Sequence, residues 1–530
     1  MWDQVYRPVA DNLAVSAACA ALPILVLLIS LGVFRMSAWK SGLLGLVTAI
    51  IVSIAIYHMP VSLALTATVY GGMFGLFPIA WVVFWALSLY RLTVETGQFE
   101  IIKNSVGHLT QDRRLQALLI AFAFGAFIEG ASGFGTPVAV AAAMLSGLGF
   151  SPFQAAAICL IANTSPVAFG AIGTPLVTLA TVTNLPLATL SADVGKICAP
   201  VSLFVPSYLM LVMGGTSALR AVFPAALVCG VCFAATQFLV STYVGPHLTD
   251  ILASLVAIVS LIVLLSFWRP TGPGDETVTL PPRAQRTLVL RAWSPYILLV
   301  IFVLLWGYTP FKAILDKVTI VFPWPGLDGA IRRLPPVVAK AAPYPAKFTF
   351  NILSASGTAA LFATLFAGLV LRVSFRQWVT SVARTFRDLS LSILTIAMVL
   401  ALAYVMNYSG ATATLGLALA ATGAFFPFFS ALLGWIGVFL TGSDTSANAL
   451  FGNLQVVTAN NLNLNPALMA AGNSSGGVMG KMISLQSISV AAAATGMPSS
   501  DEARLFGFTL KHSVFLACIV GLIVCLYAYA

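Results

Sequence analysis

Apolar residues in this chain come in long unbroken blocks. They do not alternate as in a half-buried strand, and they do not recur every three or four positions as on a surface helix. Residues 12–34, 219–242 and 251–268 are three such blocks, each offering the roughly 20 apolar residues that a helix needs to cross a bilayer. A transmembrane barrel would show alternating segments of ~10 residues instead. The pattern predicts an all-α polytopic membrane protein, with further spans at about 41–57, 61–90, 293–308, 348–371 and 389–407. Residues 219–268 read as a helical hairpin joining two halves.

Charged residues fall between the blocks. Arg35 and Lys40 mark one break, and Arg91, Lys103, Arg113 and Arg114 another. Arg269, Arg283, Arg286 and Arg291 lie in a Pro/Gly-rich linker at 269–292, and Arg372, Arg376, Arg384 and Arg387 in a loop at 372–388. Short basic loops stay on the cytoplasmic side, so these four breaks are expected there and the N-terminus outside. Residues 309–347 resist the scheme: they are expected outside, yet carry Lys312, Lys317, Arg332, Arg333, Lys340 and Lys347.

The two triplets of spans then run in opposite directions, which predicts an inverted repeat. Landmarks recur at a near-constant offset. Phe127–Ser132 matches Phe439–Asp444 (439 − 127 = 312), and Leu185-Pro186 matches Met497-Pro498 (498 − 186 = 312). Between them, Phe150-Ser151-Pro152 faces Leu464-Asn465-Pro466 at 314, and Asn163-Thr164-Ser165 faces Asn473-Ser474-Ser475 at 310.

Four polar breaks interrupt the apolar helices. They are Glu129–Pro137, Asn163–Pro175, Thr441–Asn448 and Asn473–Gly477, rich in Gly, Ser, Thr and Asn. Broken backbone at membrane depth is tolerated only inside protein or along a watery cavity. Ser, Thr, Asn and Asp cap helix starts, and a helix started there offers free N–H groups and the positive end of its dipole. Facing ends of that kind suit an anion. The bland alternative is close helix packing on small residues; four breaks at related positions favour a site. Lys481 follows the Gly-rich 475–480 stretch and opens toward an apolar helix, where a lysine needs a cavity or a partner such as Asp444. Snorkelling to the interface is its bland reading.

Composition narrows the classes. Of 530 residues, 59% are hydrophobic and only 8% charged, against about 25% charged in a soluble domain, so lipid must be the solvent for most of the chain. The net charge of +10 sits in short loops rather than in a basic domain, which argues against nucleic-acid binding. All seven cysteines lie in apolar stretches, and Cys229-x-x-Cys232 reads as helix packing. The first span lacks a basic n-region and is too long for a signal peptide, so it is expected to remain as a helix. Gly472–Gly476 matches G-x-S-x-G, but a nucleophile elbow needs a strand before it and histidine and acid partners; the four histidines (58, 108, 247, 512) lie outside the polar clusters. The stretch 475–482 lacks the first glycine and the Ser/Thr of a P-loop. No enzyme activity, metal or cofactor is expected.

In these stretches the chain resembles the L-lactate permease family, within the broader ion transporter superfamily. The strings FGAFIEGASGFG (residues 124–135) and GVFLTGSDTSANALF (residues 437–451) are the most specific, and the likeness runs from about Leu22 to Tyr527. The resemblance implies symport of L-lactate, D-lactate and glycolate with protons across the inner membrane. It further implies homodimers, two re-entrant hairpins and an elevator-type movement of a transport domain over a scaffold. The expected division is 1–112 and 293–424 as scaffold spans, 113–215 and 425–530 as the two transport-domain halves, 216–268 as connecting hairpin and 269–292 as linker. The substrate carboxylate is expected among Ser132, Gly133, Asn163, Thr164, Ser165, Ser443, Thr445, Asn473, Ser474 and Lys481. Glu129 ends an apolar run, where an ionised group costs about 2.5–3.5 kcal/mol, and is the expected proton carrier, with Asp444 in reserve. A sodium-coupled or dicarboxylate carrier is the rival within the class; a passive anion channel is the rival outside it.

Overall fold

The computed structural model describes residues 1–107, 109–133, 135–270, 285–338 and 340–530. Most of the predicted 269–292 linker, with Arg283, lies outside the described residues, as do His108 and Phe134. Among the described residues, eleven helices are long and apolar enough to cross a membrane, or twelve if one bent pair counts as a span.

Chain order is simple. Helices α1 (Leu13–Gly32), α2 (Ala38–Ala55) and α3 (Val61–Glu95) come first. A short α4 (Gln98–Gly107) leads to α5 (Arg113–Ala131). Then come α6 (Thr136–Gly147), α7 (Pro152–Ala162) and α8 (Val167–Thr183), the last two bent by 67°. The run α9 (Leu187–Tyr243) turns back through α10 (Thr249–Phe267). The second half begins with α11 (Arg286–Gly307) and α12 (Thr309–Leu315). It continues with α13 (Ser356–Val370), α14 (Phe375–Ser409) and α15 (Ala411–Leu419). Last come α16 (Phe426–Thr441), α17 (Asp444–Asn461), α18 (Pro466–Lys481), α19 (Leu485–Thr495) and α20 (Glu502–Tyr529).

Local chemistry sets these boundaries. The Asn12 carboxamide oxygen accepts from the N–H groups of Ala14 and Val15 at 2.9 and 3.2 Å and starts α1. Within α3, Phe77 precedes Pro78 and leaves the helical region (φ −141°, ψ 127°), as residues before proline tend to. The predicted 372–388 loop is instead mostly helix, because Ser374 and Gln377 form a reciprocal capping box that launches α14 at Phe375. The span predicted from 348 starts at Ser356, because Lys347–Phe350 pairs as a strand with Ile320–Pro323.

Those strands belong to a small surface layer. Trp2–Asp3 pairs in parallel with Ile331–Arg332, and Arg332–Arg333 pairs antiparallel with Ala342–Pro343. Arg332 donates to both carboxylate oxygens of Asp3 at 2.6–2.7 Å, and Arg333 lies over the Tyr344 ring. The Gln4 amide donates to the carbonyls of Asn407 and Tyr408, tying the N-terminus to the end of α14. Near the other end of the same helix, Asp388 pairs with Arg91 and Arg384 with Glu95. The N-terminus and the 320–350 strands therefore lie on one side, and the 91–95 and 384–388 arginines on the other. Much of the basic charge at 309–347 sits in a folded layer, to which a rule about short loops does not apply.

At the centre is α5. Of its most apolar window 94% is buried, against 28–67% for the other spans, so protein rather than lipid surrounds it. Helices α16 and α18 approach backbone to backbone: a methyl added at Gly434, Gly476 or Gly480 would overlap a carbonyl of the facing helix. Gly472, Gly476 and Gly480 recur every four residues, the small-residue spacing of tight membrane helix pairs. Packing thus accounts for the glycines of the G-x-S-x-G string.

Candidate functional site

The helix breaks converge. Helix α5 ends at Ser132, and Gly133 (φ +62°) and Gly135 (φ +83°) turn the chain into α6. Early in α8, Ala171, Ile172 and Gly173 all take positive φ (45–71°), so the helix is broken in its second turn. Gly442 (φ +71°) ends α16, and the Ser443 hydroxyl accepts from the Ser446 N–H at 3.2 Å to start α17. These turns and the C-terminal end of α18 line a half-open cavity of ≈ 50 Å³. One water needs about 10–15 Å³ on this measure, so the space suits a few small groups.

Three ionisable side chains line it: Glu129 from α5, Asp444 from α17 and Lys481 from α18. All are nearly inaccessible, at 3%, 3% and 5% exposure. Their placement follows from helix ends. The Lys481 ammonium donates to the Gly442 carbonyl at 2.7 Å, at the negative end of α16, and Asp444 occupies the first turn of α17, at its positive end. Lys481 is within electrostatic reach of both acids, but it donates its hydrogen bond to a carbonyl. Each acid also has a glycine seat. A methyl at Gly170 would lie 2.6 Å from Glu129 Oε1, and one at Gly477 would overlap Asp444 Oδ1.

A buried polar network holds Asp444. Its Oδ2 accepts from Ser474 Oγ at 2.7 Å and Asn448 Nδ2 at 3.2 Å. Asn448 Oδ1 accepts from Asn473 Nδ2 at 3.0 Å, and Asn473 Oδ1 accepts from Gln455 Nε2 at 3.1 Å.

Of the residues expected at the site, Glu129, Gly133, Ser443, Asp444, Thr445 and Lys481 line the cavity. Asn473 and Ser474 stand one layer behind, in the network. The Ser132 and Thr164 hydroxyls donate back to the carbonyls of Ile128 and Ile161 in their own helices. Asn163 faces Glu129, yet neither atom of its amide makes a hydrogen bond of ordinary geometry. The Ser165 hydroxyl is also unpartnered, while its carbonyl accepts from Gln237. Sequence reasoning passed over Gln486 in the lining, and it placed Gly170 and Ala171 in a polar break without assigning them to the site; in the network it likewise left Asn448, at the end of another break, and Gln455 without a role. For the last two a signal existed: Asp444, Asn448 and Gln455 share one face of α17 at i, i+4 and i+11.

A bundle of membrane-length helices, broken where three buried ionisable groups meet, defines a membrane transporter. The L-lactate permease family model matches residues 16–530. The chain is 44% identical to the glycolate permease GlcA of Escherichia coli, covering 100% of this chain and 98% of that one. It is also 44% identical to the L-lactate permease of Bacillus subtilis, over 98% and 97% of the two chains. The chain therefore belongs to the L-lactate permease family. Among solved structures, Neisseria gonorrhoeae MtrF aligns with TM-score 0.46 at 13% identity, over 88% of this chain and 84% of that one.

Proposed function

We propose that this permease carries L-lactate and related monocarboxylates, D-lactate and glycolate, together with protons across the inner membrane. The observation that carries the reading is the meeting of two acids and one lysine at a single cavity. With both acids ionised the site has one net negative charge and repels a carboxylate. Protonation of one acid removes that charge, so lactate enters opposite Lys481. One proton and one lactate move together without net charge, which eases passage of the loaded site through lipid. Glu129 is the exchanging acid in this scheme, since Asp444 is held by donors from Ser474 and Asn448. The substrate carboxylate draws on Lys481, Ser443 and Thr445 at the wall, and on Asn163 and its neighbours.

An inverted repeat with an elevator movement accompanies this reading. Ser151-Pro152 and Asn465-Pro466 both serve as cap and first helical residue, and a positive-φ glycine follows or ends each long helix, Gly133 after α5 and Gly442 after α16. Leu185-Pro186 and Met497-Pro498 precede α9 and α20. The scaffold comprises 1–112 and 293–424, the transport domain 113–215 and 425–530, and the working unit is a homodimer. The arginine-bearing ends are cytoplasmic and the N-terminus external. Labelling of a cysteine near Asp3 by an impermeant reagent from outside supports this orientation, and labelling only from inside reverses it.

The central test is labelled lactate uptake into proteoliposomes under an imposed proton gradient, a sodium gradient or none. A proton gradient alone should drive accumulation. Glu129→Gln should keep lactate–lactate exchange and lose the response to the gradient; intact proton-driven accumulation in that variant removes Glu129 from the mechanism.

A further inference from the structure

Packed against the helix that carries Glu129, beside Gly130, is another acid, Asp250, in the first turn of α10. It is 1% exposed, and among the described residues neither carboxylate oxygen has a hydrogen-bond partner. An acid at a helix start usually caps it by accepting backbone N–H groups; here the start of α10 has no side-chain cap bond. What brings Asp250 inward is Gly130. A methyl there would lie 2.8 Å from Asp250 Cβ and 3.1 Å from the Ile251 nitrogen, so only glycine lets α10 come this close to the helix that carries Glu129. The two carboxyls lie within electrostatic reach of each other. Cys198 of α9 lies within electrostatic reach of both Asp444 and Asp250. His247, just upstream, turns its Nδ1 to the Ile172 carbonyl, and Lys481 and Asp444 stand on the cavity side of Glu129.

An ionised carboxyl buried without donors costs several kcal/mol, and two neighbouring carboxyls do not readily both ionise. We propose that Asp250 and Glu129 share a proton and act as one proton-holding pair, Glu129 facing the substrate and Asp250 standing behind it as the internal reserve. When substrate leaves, the O–H bond on Glu129 breaks as one forms on Asp250, and the pair then gives that proton to water on the side of release; a proton taken up from the other side forms the O–H bond on Glu129 that admits the next anion. Nothing else is consumed. The inference rests on the proton-coupled reading above.

A pair holds its last proton to higher pH than a single acid does. Asp250→Asn in the full-length protein in proteoliposomes should therefore move the alkaline limb of proton-driven lactate uptake about one pH unit or more toward acid, a tenfold change in proton affinity. Lactate–lactate exchange at acid pH should persist. Asp250→Glu, which keeps the acid, should retain the wild-type profile. A superimposable profile for Asp250→Asn overturns the pair and leaves Asp250 a packing residue. If that variant does not fold, Asp250→Ser is the smaller replacement with the same expectation. Without any change at 250, isotope-edited infrared spectroscopy of Asp444→Asn protein should detect a protonated aspartate that responds to lactate; no such band also overturns the proposal. Glu129→Gln separates the two claims. Proton-driven accumulation in that variant removes Glu129, and with it the pair, from the mechanism; its loss beside a normal Asp250→Asn profile defeats only the pair, and wild-type protein that does not respond to a proton gradient defeats the proton-coupled reading itself.

Discussion

The two walls of the cavity are built from similar breaks but treat their polar atoms differently. On the second-half wall, Asp444 Oδ2, Asn448, Asn473 and Ser474 bond to one another and to Gln455; Asp444 Oδ1, Ser475 Oγ and Gln455 Oε1 are left over. On the first-half side, among the described residues, Glu129 Oε2 and, behind it, both amide atoms of Asn163, Ser165 Oγ and both oxygens of Asp250 lack hydrogen-bond partners. A satisfied buried network is rigid, whereas an unsatisfied buried group costs about 1–3 kcal/mol and gains most from whatever arrives. The comparison teaches a division of labour: one wall is a fixed electrostatic frame, and the other is where partners come and go.

Removing the frame's cation should have the largest effect. Lys481→Ala strips charge compensation from two buried acids, and lactate binding should weaken by up to about a hundredfold, since a hydrogen bond to a charged group contributes about 1.5–3 kcal/mol. Lys481→Arg should rescue only partly, because a planar fork does not replace a compact ammonium. Equilibrium binding to purified protein measures both; normal lactate affinity in folded Lys481→Ala would break the comparison outright.

The matched pair Asn473→Ala and Asn163→Ala probes it next. Asn473→Ala orphans Asn448 Oδ1 and leaves Gln455 Nε2 only its bond to the Ser430 carbonyl, and should lower stability by about 1–3 kcal/mol for the stranded oxygen, read as a fall in the thermal midpoint in detergent. Asn163→Ala strands nothing of that kind. Its midpoint should stay near wild type while lactate affinity falls about tenfold. The opposite assignment of the two phenotypes would reverse the roles of the walls.

A finer cut uses the glycine seat. In Gly170→Ala the new methyl, 2.6 Å from Glu129 Oε1, must displace that carboxyl. Proton-driven uptake should drop severalfold with exchange less affected, measured in the same vesicles. Equal losses in both assays would place Glu129 outside the coupling step.

The smallest effect is expected far from both walls. Arg332 beside Asp3 holds that carboxyl below its ordinary range, so any contribution of the pair is present at neutral pH and is lost only as pH falls through the lowered value. The pair is exposed and weak. Asp3→Asn should leave uptake at neutral pH unchanged; a clear loss there would make the surface layer part of the transport path.

Much of this was legible in the chain because lipid imposes simple rules. Unbroken apolar blocks predict spans, and the clustered Gly, Ser and Asn residues mark where helices end. Glu129, Asp444 and Lys481 stood out as charges without solvent, and they lie on one cavity. Asp250 did not stand out. It opens an apolar helix, where an acid reads as an ordinary interfacial residue, and only the three-dimensional approach across Gly130 buries it. Long-range pairing likewise hid the strands at 320–350 and the bond from Gln4 to the end of α14. The capping box at Ser374 was local and readable, but the arginines that follow it suggested a loop.

The clasp between Gln4 and Asn407 joins residues 403 positions apart. At a synthesis rate of about 5–20 residues per second, the first residues made must wait roughly 20–80 s before the carbonyls they hold exist. During that interval the N-terminal strand has no edge to pair with, since Ile331 is also unmade for most of the wait. Closure of this surface is therefore a late event in biogenesis, and it reports that the second half has reached its place.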